Sequence, residues 1–118
     1  MDGRGSQEHR QIEAALDVAG ESVLAGVVDI EAFRRIHRMC VMHYEHEEAF
    51  LARLEKQNAA LADKLRGQHA EALEIAERME ETARDGHGGD MVYLARRFMA
   101  IVQHNITEEE RDVWPVVG

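Results

Sequence analysis

The placement of four histidines relative to the breaks in the chain is the strongest constraint on how it folds. His43 follows His9 by 34 residues, and His104 follows His69 by 35. His43 and His104 each open a His-xxx-Glu pair, His43–Glu47 and His104–Glu108, so the pattern is a near-repeat. Gly26 lies midway between His9 and His43, and the Gly86–His87 step lies midway between His69 and His104. The midpoint of His43 and His69 falls beside Asn58. In antiparallel helices, residues equidistant from the turn face each other at one height. Turns at these three places would bring all four histidines into one layer of an up-down-up-down bundle.

Local signals place the same turns without reference to the histidines. A first helix from about Ser6 to Ala25 is closed by Gly26, a natural residue just past a helix end. Asp29 is a good N-cap for a second helix, Ile30 to Gln57. There Phe33, Ile36, Met39, Cys40, His43, Glu47, Phe50, Leu51 and Leu54 form one stripe at helical spacing. His43 and Glu47 lie in the middle of that inward stripe. A break at Asn58 leads to a third helix, about Leu61 to Arg84. Asp85-Gly86-His87-Gly88-Gly89 reads as a loop. Asp90 then caps a fourth helix to about Asp112, and Trp114-Pro115 ends it, because proline disfavours helix in the residue before it.

The spacing within each pair has a chemical meaning. Four residues on a helix turn ~400°, so His and Glu differ by only ~40° in direction and ~6 Å in height. The imidazole of such a pair can bind one metal ion while its carboxylate leans inward to bridge two. His9 and His69 each add one imidazole. Four imidazoles and two carboxylates in pseudo-twofold arrangement make a dinuclear metal site, with His9, His43, Glu47, His69, His104 and Glu108 as its candidate ligands.

Composition agrees and excludes other classes. The 118 residues make one domain, residues 1–118, and only 5% are aromatic, with one proline. Ala, Leu, Glu, Met, Arg and Gln, all good helix formers, dominate and favour an all-α fold. A net charge of −9 argues against nucleic acid or an anionic membrane as partner. The single Cys40 excludes an internal disulfide and fits a reducing compartment. MDGRGSQEHR has no apolar stretch of a secretory leader, so the expected location is cytoplasmic. No HExxH and no CxxCH occurs, which excludes a zincin and covalently attached haem. Ferritin-like Glu-xx-His pairs are absent too.

The stretches Glu8-His9-Arg10, His43-Tyr-Glu-His-Glu47-Glu48, Gln68-His69 and His104-Asn-Ile-Thr-Glu108-Glu109 resemble the hemerythrin-like, HHE cation-binding family. The resemblance covers nearly the whole chain. It implies an antiparallel four-helix bundle holding two Fe ions in a non-haem di-iron centre with an oxo or hydroxo bridge. That centre would meet dioxygen, peroxide or nitric oxide, with the six residues above as ligands. The oxygen-carrying hemerythrins have a fifth histidine, paired as His-xxx-His on the third helix. Here Leu65 and Leu73 flank His69 at that spacing, so the fifth ligand is missing. Ligand counting then leaves one position open on each iron, which suits peroxide or nitric oxide chemistry across both metals, or an iron sensor with replaceable water, rather than simple reversible oxygen carriage. The first half also lacks the proline that often follows the HxxxEE block, with Arg53 and Leu54 near that place.

Three readings of function follow. The first is a non-haem di-iron protein that binds dioxygen or a related small oxidant. The second is an iron- or oxygen-sensing module with a protein partner. The third is a di-iron enzyme that consumes peroxide or nitric oxide. Glu13, one turn after His9, is a candidate to fill the missing position, against a place in solvent at the bundle rim. His46 beside Glu47 is open to a supporting role. His37 and His87 read as surface residues, Cys40 as a small core thiol, and Tyr44 and Tyr93 as packing or surface residues.

Overall fold

The computed structural model describes residues 3–86 and 88–117. Four long helices, α1 (Gly3–Leu24), α2 (Ile30–Gln57), α3 (Ala59–Asp85) and α4 (Gly88–Glu108), are followed by a π-helical turn (Glu109–Val113) and a short helix α5 (Trp114–Val117). No strand occurs among the described residues. The all-α four-helix bundle expected from the sequence is the fold. Helix α1 packs on α2, α2 on α3, α3 on α4, and α4 back on α1. Links between neighbours descend on one helix as they climb on the other. Arg34 pairs with Glu80 and Glu48 with Arg66 across α2 and α3. Gln68 pairs with Asn105 and Glu71 with Arg97 across α3 and α4. That is the order of antiparallel neighbours.

The turns fall where the sequence puts them. Gly26 and Gly86 have φ of 81° and 78°, a left-handed conformation that side chains with a Cβ resist. Asp29 caps α2 through its carboxylate, which accepts from the Ala32 amide at 3.2 Å. Asn58 alone joins α2 to α3. Its amide donates to the Leu54 carbonyl at 2.7 Å, and its side-chain oxygen accepts from Leu61 N–H at 3.1 Å. One residue thus closes one helix and opens the next.

Four boundaries differ from expectation. Helix α1 starts at Gly3 and α3 at Ala59, each earlier than expected. Gly88 and Gly89 belong to α4, so Asp90 lies in its first turn, where a negative charge suits the helix dipole, and does not cap it. Trp114-Pro115 does not end the last helix. The ladder has already changed register there, with Trp114 N–H bonded to the Glu109 carbonyl, and Pro115 sits in the first turn of α5, where a missing donor costs little. His87 lies outside the described residues.

The core is divided. A large cluster centres on Ile12, Phe33, Ile36, Ile75, Met79 and Phe98 and runs toward the Gly26 and Gly86 turns. A small one, with Phe50, Leu51, Leu54, Ala62, Leu65 and Val113, gathers near Asn58. Between them, at the level of Glu47 and His69, the interior is polar. Replacing Asn58 with Ala removes the cap of α3, and urea unfolding should show a loss of about 1 kcal/mol. An unchanged midpoint would show that the link owes nothing to that side chain.

Candidate metal centre

Three helices and the π-helical turn each send a polar side chain into this layer. His9 comes from α1, His43 and Glu47 from α2, His69 from α3 and Glu109 from the turn. His9 and Glu109 are fully buried, and the other three are nearly so. Ligand atoms of His9, His43, Glu47 and Glu109 all lie within 4.8 Å of one another. His69 completes the layer, with Nε2 3.0 Å from Glu109 Oε2 and 3.9 Å from Glu47 Oε2.

The two carboxylates span the layer. Oε1 of Glu109 lies 3.0 Å from His9 Nε2, while its Oε2 meets His69. Oε1 of Glu47 faces Nε2 of His43 and lies 3.6 Å from His9 Nε2, while its Oε2 turns toward His69. Each carboxylate therefore offers one oxygen to the His9–His43 side and one to the His69 side.

Outer carboxylates fix the imidazoles. Nδ1 of His43 pairs with Glu8 at 2.8 Å, and Nδ1 of His9 pairs with Glu110 at 2.9 Å. A proton on Nδ1 leaves Nε2 as the free lone pair, aimed inward. Trp114 stacks on His9 at 4.4 Å and Tyr44 on His69 at 3.8 Å, which holds both rings in plane.

Electrostatics show how unusual the layer is. Burial pushes the Glu47 carboxyl far above the usual carboxylate range, and repulsion from Glu109 adds to it, although His9 opposes. Burial also acts to raise Glu109, but hydrogen bonds from His69 and His9 outweigh it and hold Glu109 ionised. Burial lowers His9, yet its hydrogen bond to Glu109 and the nearby Glu47 carry its pKa up to about 10. Burial keeps His43 neutral, with the Glu8 hydrogen bond only partly offsetting it. Nε2 of His43 and both carboxylate oxygens of Glu47 are buried with no hydrogen-bond partner. Buried acceptors are seldom left so. Unsatisfied acceptors of this kind beside His9 and Glu109 fit a cation, and the imidazole and carboxylate donors suit a first-row transition metal.

The hemerythrin HHE cation binding domain matches residues 6–117. The chain belongs to that family. No curated protein and no solved structure matches it.

Of the six residues expected in the centre of this HHE domain, the structure brings together His9, His43, Glu47 and His69. It does not bring His104 there: that side chain is 59% exposed. His104 lies two residues from both Val102 and Ile106, a rotation of ~200° away from the inward stripe of α4. Glu108 is buried, but its carboxylate is taken by Lys64 at 2.6 Å, Gln68 at 2.9 Å and His104 at 3.1 Å. Those donors satisfy it and keep it ionised against its burial. Glu109 takes the inward place. The signal for it was present: Leu94, Phe98, Val102 and Ile106 continue in helical steps to Glu109 and Val113, both buried. Glu13 accepts from Gln103 at 2.8 Å on the exposed side and does not reach the centre. His46 supports from outside, with Nδ1 2.6 Å from the second oxygen of Glu8. Cys40 is a buried core thiol and Tyr93 is exposed, as expected.

Burial of Glu47 and the carboxylates around His9 favour the protonated form of both groups, and a cation held there would displace those protons. Loading at pH 7 should release about two protons per chain. Affinity should weaken as pH falls, because each proton competes with the metal. Calorimetry in two buffers of different ionisation enthalpy measures the release, and none at all would contradict the protonation assigned to this pair.

Proposed function

We propose that this HHE domain holds two iron ions through His9, His43, Glu47, His69 and Glu109, and that it binds dioxygen or a related small oxidant such as peroxide or nitric oxide. The observation that carries the reading is the split of each buried carboxylate, one oxygen toward His9 and His43 and the other toward His69. A single ion on the His9–His43 side would leave Oε2 of Glu47 buried without a partner, whereas a second ion on the His69 side would use it. Bound iron would supply a redox-active Lewis acid able to exchange electrons with a small oxidant. The chain's own residues do the rest. Glu8 and Glu110 hold the imidazole rotamers, Tyr44 and Trp114 wall the layer, and the two apolar clusters keep bulk water out.

His104 and Glu108 are left out of this set because one faces solvent and the other is already paired. Among the described residues, no helix is long and apolar enough to cross a membrane. The buried, unpaired Cys40 supports a cytoplasmic location as part of the same reading.

The test is anaerobic loading with ferrous iron, metal analysis, then exposure to air and afterwards to peroxide while absorption is recorded. The expected result is close to two irons per chain and a new near-ultraviolet band on exposure. Glu47→Ala and Glu109→Ala should retain less than half of the metal, and His37→Ala and His104→Ala should retain nearly all. One tightly held zinc with no iron uptake would refute the reading.

A further inference from the structure

The outer face of α1 and α2 carries apolar side chains and charges that the fold itself does not use. We propose that this face binds a second copy of the same chain, in a two-fold dimer where α1 of each copy lies along α2 of the other.

An apolar strip runs down the face. Val18 on α1 is 66% exposed and Met42 on α2 is 58% exposed. Gln11, Met39 and Met42 line a cavity of about 140 Å³ between the two helices, with Glu8 and Ile12 at its wall. Ala14 and Ala15, one turn from Gln11 and one turn from Val18, continue the strip along α1. Their small side chains let the backbone of another helix approach closely. Single apolar residues on a surface need no partner, but a continuous strip rimmed by charge marks an interaction site.

The rim fits a second copy. Residues of α1 and α2 equidistant from Gly26 lie at one level, as the pairing of Glu8 with His43 and His46 shows. Asp17 is therefore level with Arg35 and close to Arg38, and Arg10 is close to the level of Glu45. Asp17 adjoins Val18 along α1, and Arg38 lies one turn before Met42 on α2. A two-fold axis along the groove keeps every level and exchanges the two helices. It sets Asp17 of one copy against Arg35 and Arg38 of the other, and Arg10 against Glu45, each pairing occurring twice. Asp17, Arg35, Arg38 and Glu45 are exposed, and none is in an ion pair of its own chain among the described residues. Arg34 beside them is already taken by Glu31 and Glu80. The face is thus self-complementary in sign although the chain carries a net charge of −9. That property favours a second copy over a partner of uniform charge. The apolar strip supplies the affinity, and the charges fix the register.

Sedimentation equilibrium of the full chain, metal-free and iron-loaded, tests this. A species of twice 13.4 kDa should grow in with concentration. Asp17→Arg, and separately Arg35→Glu with Arg38→Glu, should weaken association by about tenfold or more, since each substitution acts twice in a two-fold interface. Asp17→Arg also brings the net charge nearer zero, which would strengthen a non-specific association, so its weakening is diagnostic. An equimolar mixture of the two variants should associate as the unaltered chain does, because both edges of the mixed dimer then pair opposite charges. Val18→Asp should leave a monomer, whereas Tyr93→Asp, exposed on α4, should change nothing. Amide exchange should slow at residues 11–21 and 35–45 as the dimer forms, and stay unchanged at 63–84. The substituted side chains are exposed, and a thermal melt of each variant confirms that the fold is kept. A chain that stays monomeric to millimolar concentration would overturn the proposal. So would a dimer indifferent to the charge reversals, a mixture that fails to recover, or a dimer lost in Tyr93→Asp. None of these residues belongs to the polar layer, so the metal reading stands or falls separately.

Discussion

Two carboxylates and three imidazoles are packed where water does not reach, between two apolar clusters. An ionised carboxylate in such a place costs several kcal/mol unless an opposite charge or several donors compensate it. Glu47 and Glu109 face the same small volume, and the ionised Glu109 makes Glu47 harder to ionise. Most of what surrounds them answers that demand. His9 and His69 supply donors to Glu109, Glu8 and Glu110 fix the histidine tautomers, and Lys64 with Gln68 neutralises Glu108 nearby. Glu47 is left with two bare oxygens. That deficit in the protein's own hydrogen bonding is one that a cation would relieve.

Most of the fold was legible in the sequence because the signals were local and mutually consistent. Gly26, Asp29, Asn58 and Gly86 each serve a backbone need that few other residues meet, and the apolar stripe of α2 fixed its inward face. The same stripe put His43 and Glu47 on that inward face, where both are buried. The fourth helix misled because its motif and its stripe disagree. The His104–Glu108 spacing copies the first pair, yet the apolar residues of α4 point to Glu109. Burial of Phe98, Val102 and Ile106 outweighs any preference of two polar side chains, so the stripe sets the rotation. The carboxylate partners of the histidines were harder to see, since Glu8, His43 and His46 are neighbours only once α1 and α2 have packed.

The π-helical turn is where the bundle accommodates the centre. Within it two successive glutamates serve one imidazole, Glu109 at Nε2 of His9 and Glu110 at Nδ1. The turn then carries Val113 into the small cluster and Trp114 onto the face of His9. Single π turns recur at functional sites for this kind of reason, as they alter the direction of one side chain while the helix continues.

The unequal division of the core decides which end of the molecule breathes. Local opening costs least where the fewest apolar groups must be wetted. The Asn58 end rests on a handful of residues, whereas the opposite end holds most of the buried hydrocarbon. Transient loosening at the Asn58 end would let water reach Glu47 and Glu109 while Phe33, Ile75 and Phe98 stay packed. Amides of residues 50–62 would then trade hydrogen with solvent sooner than those of the large cluster. Such a geometry separates two lifetimes that are joined in a bundle with one uniform core: how long the protein stays folded, and how long its interior charges stay dry.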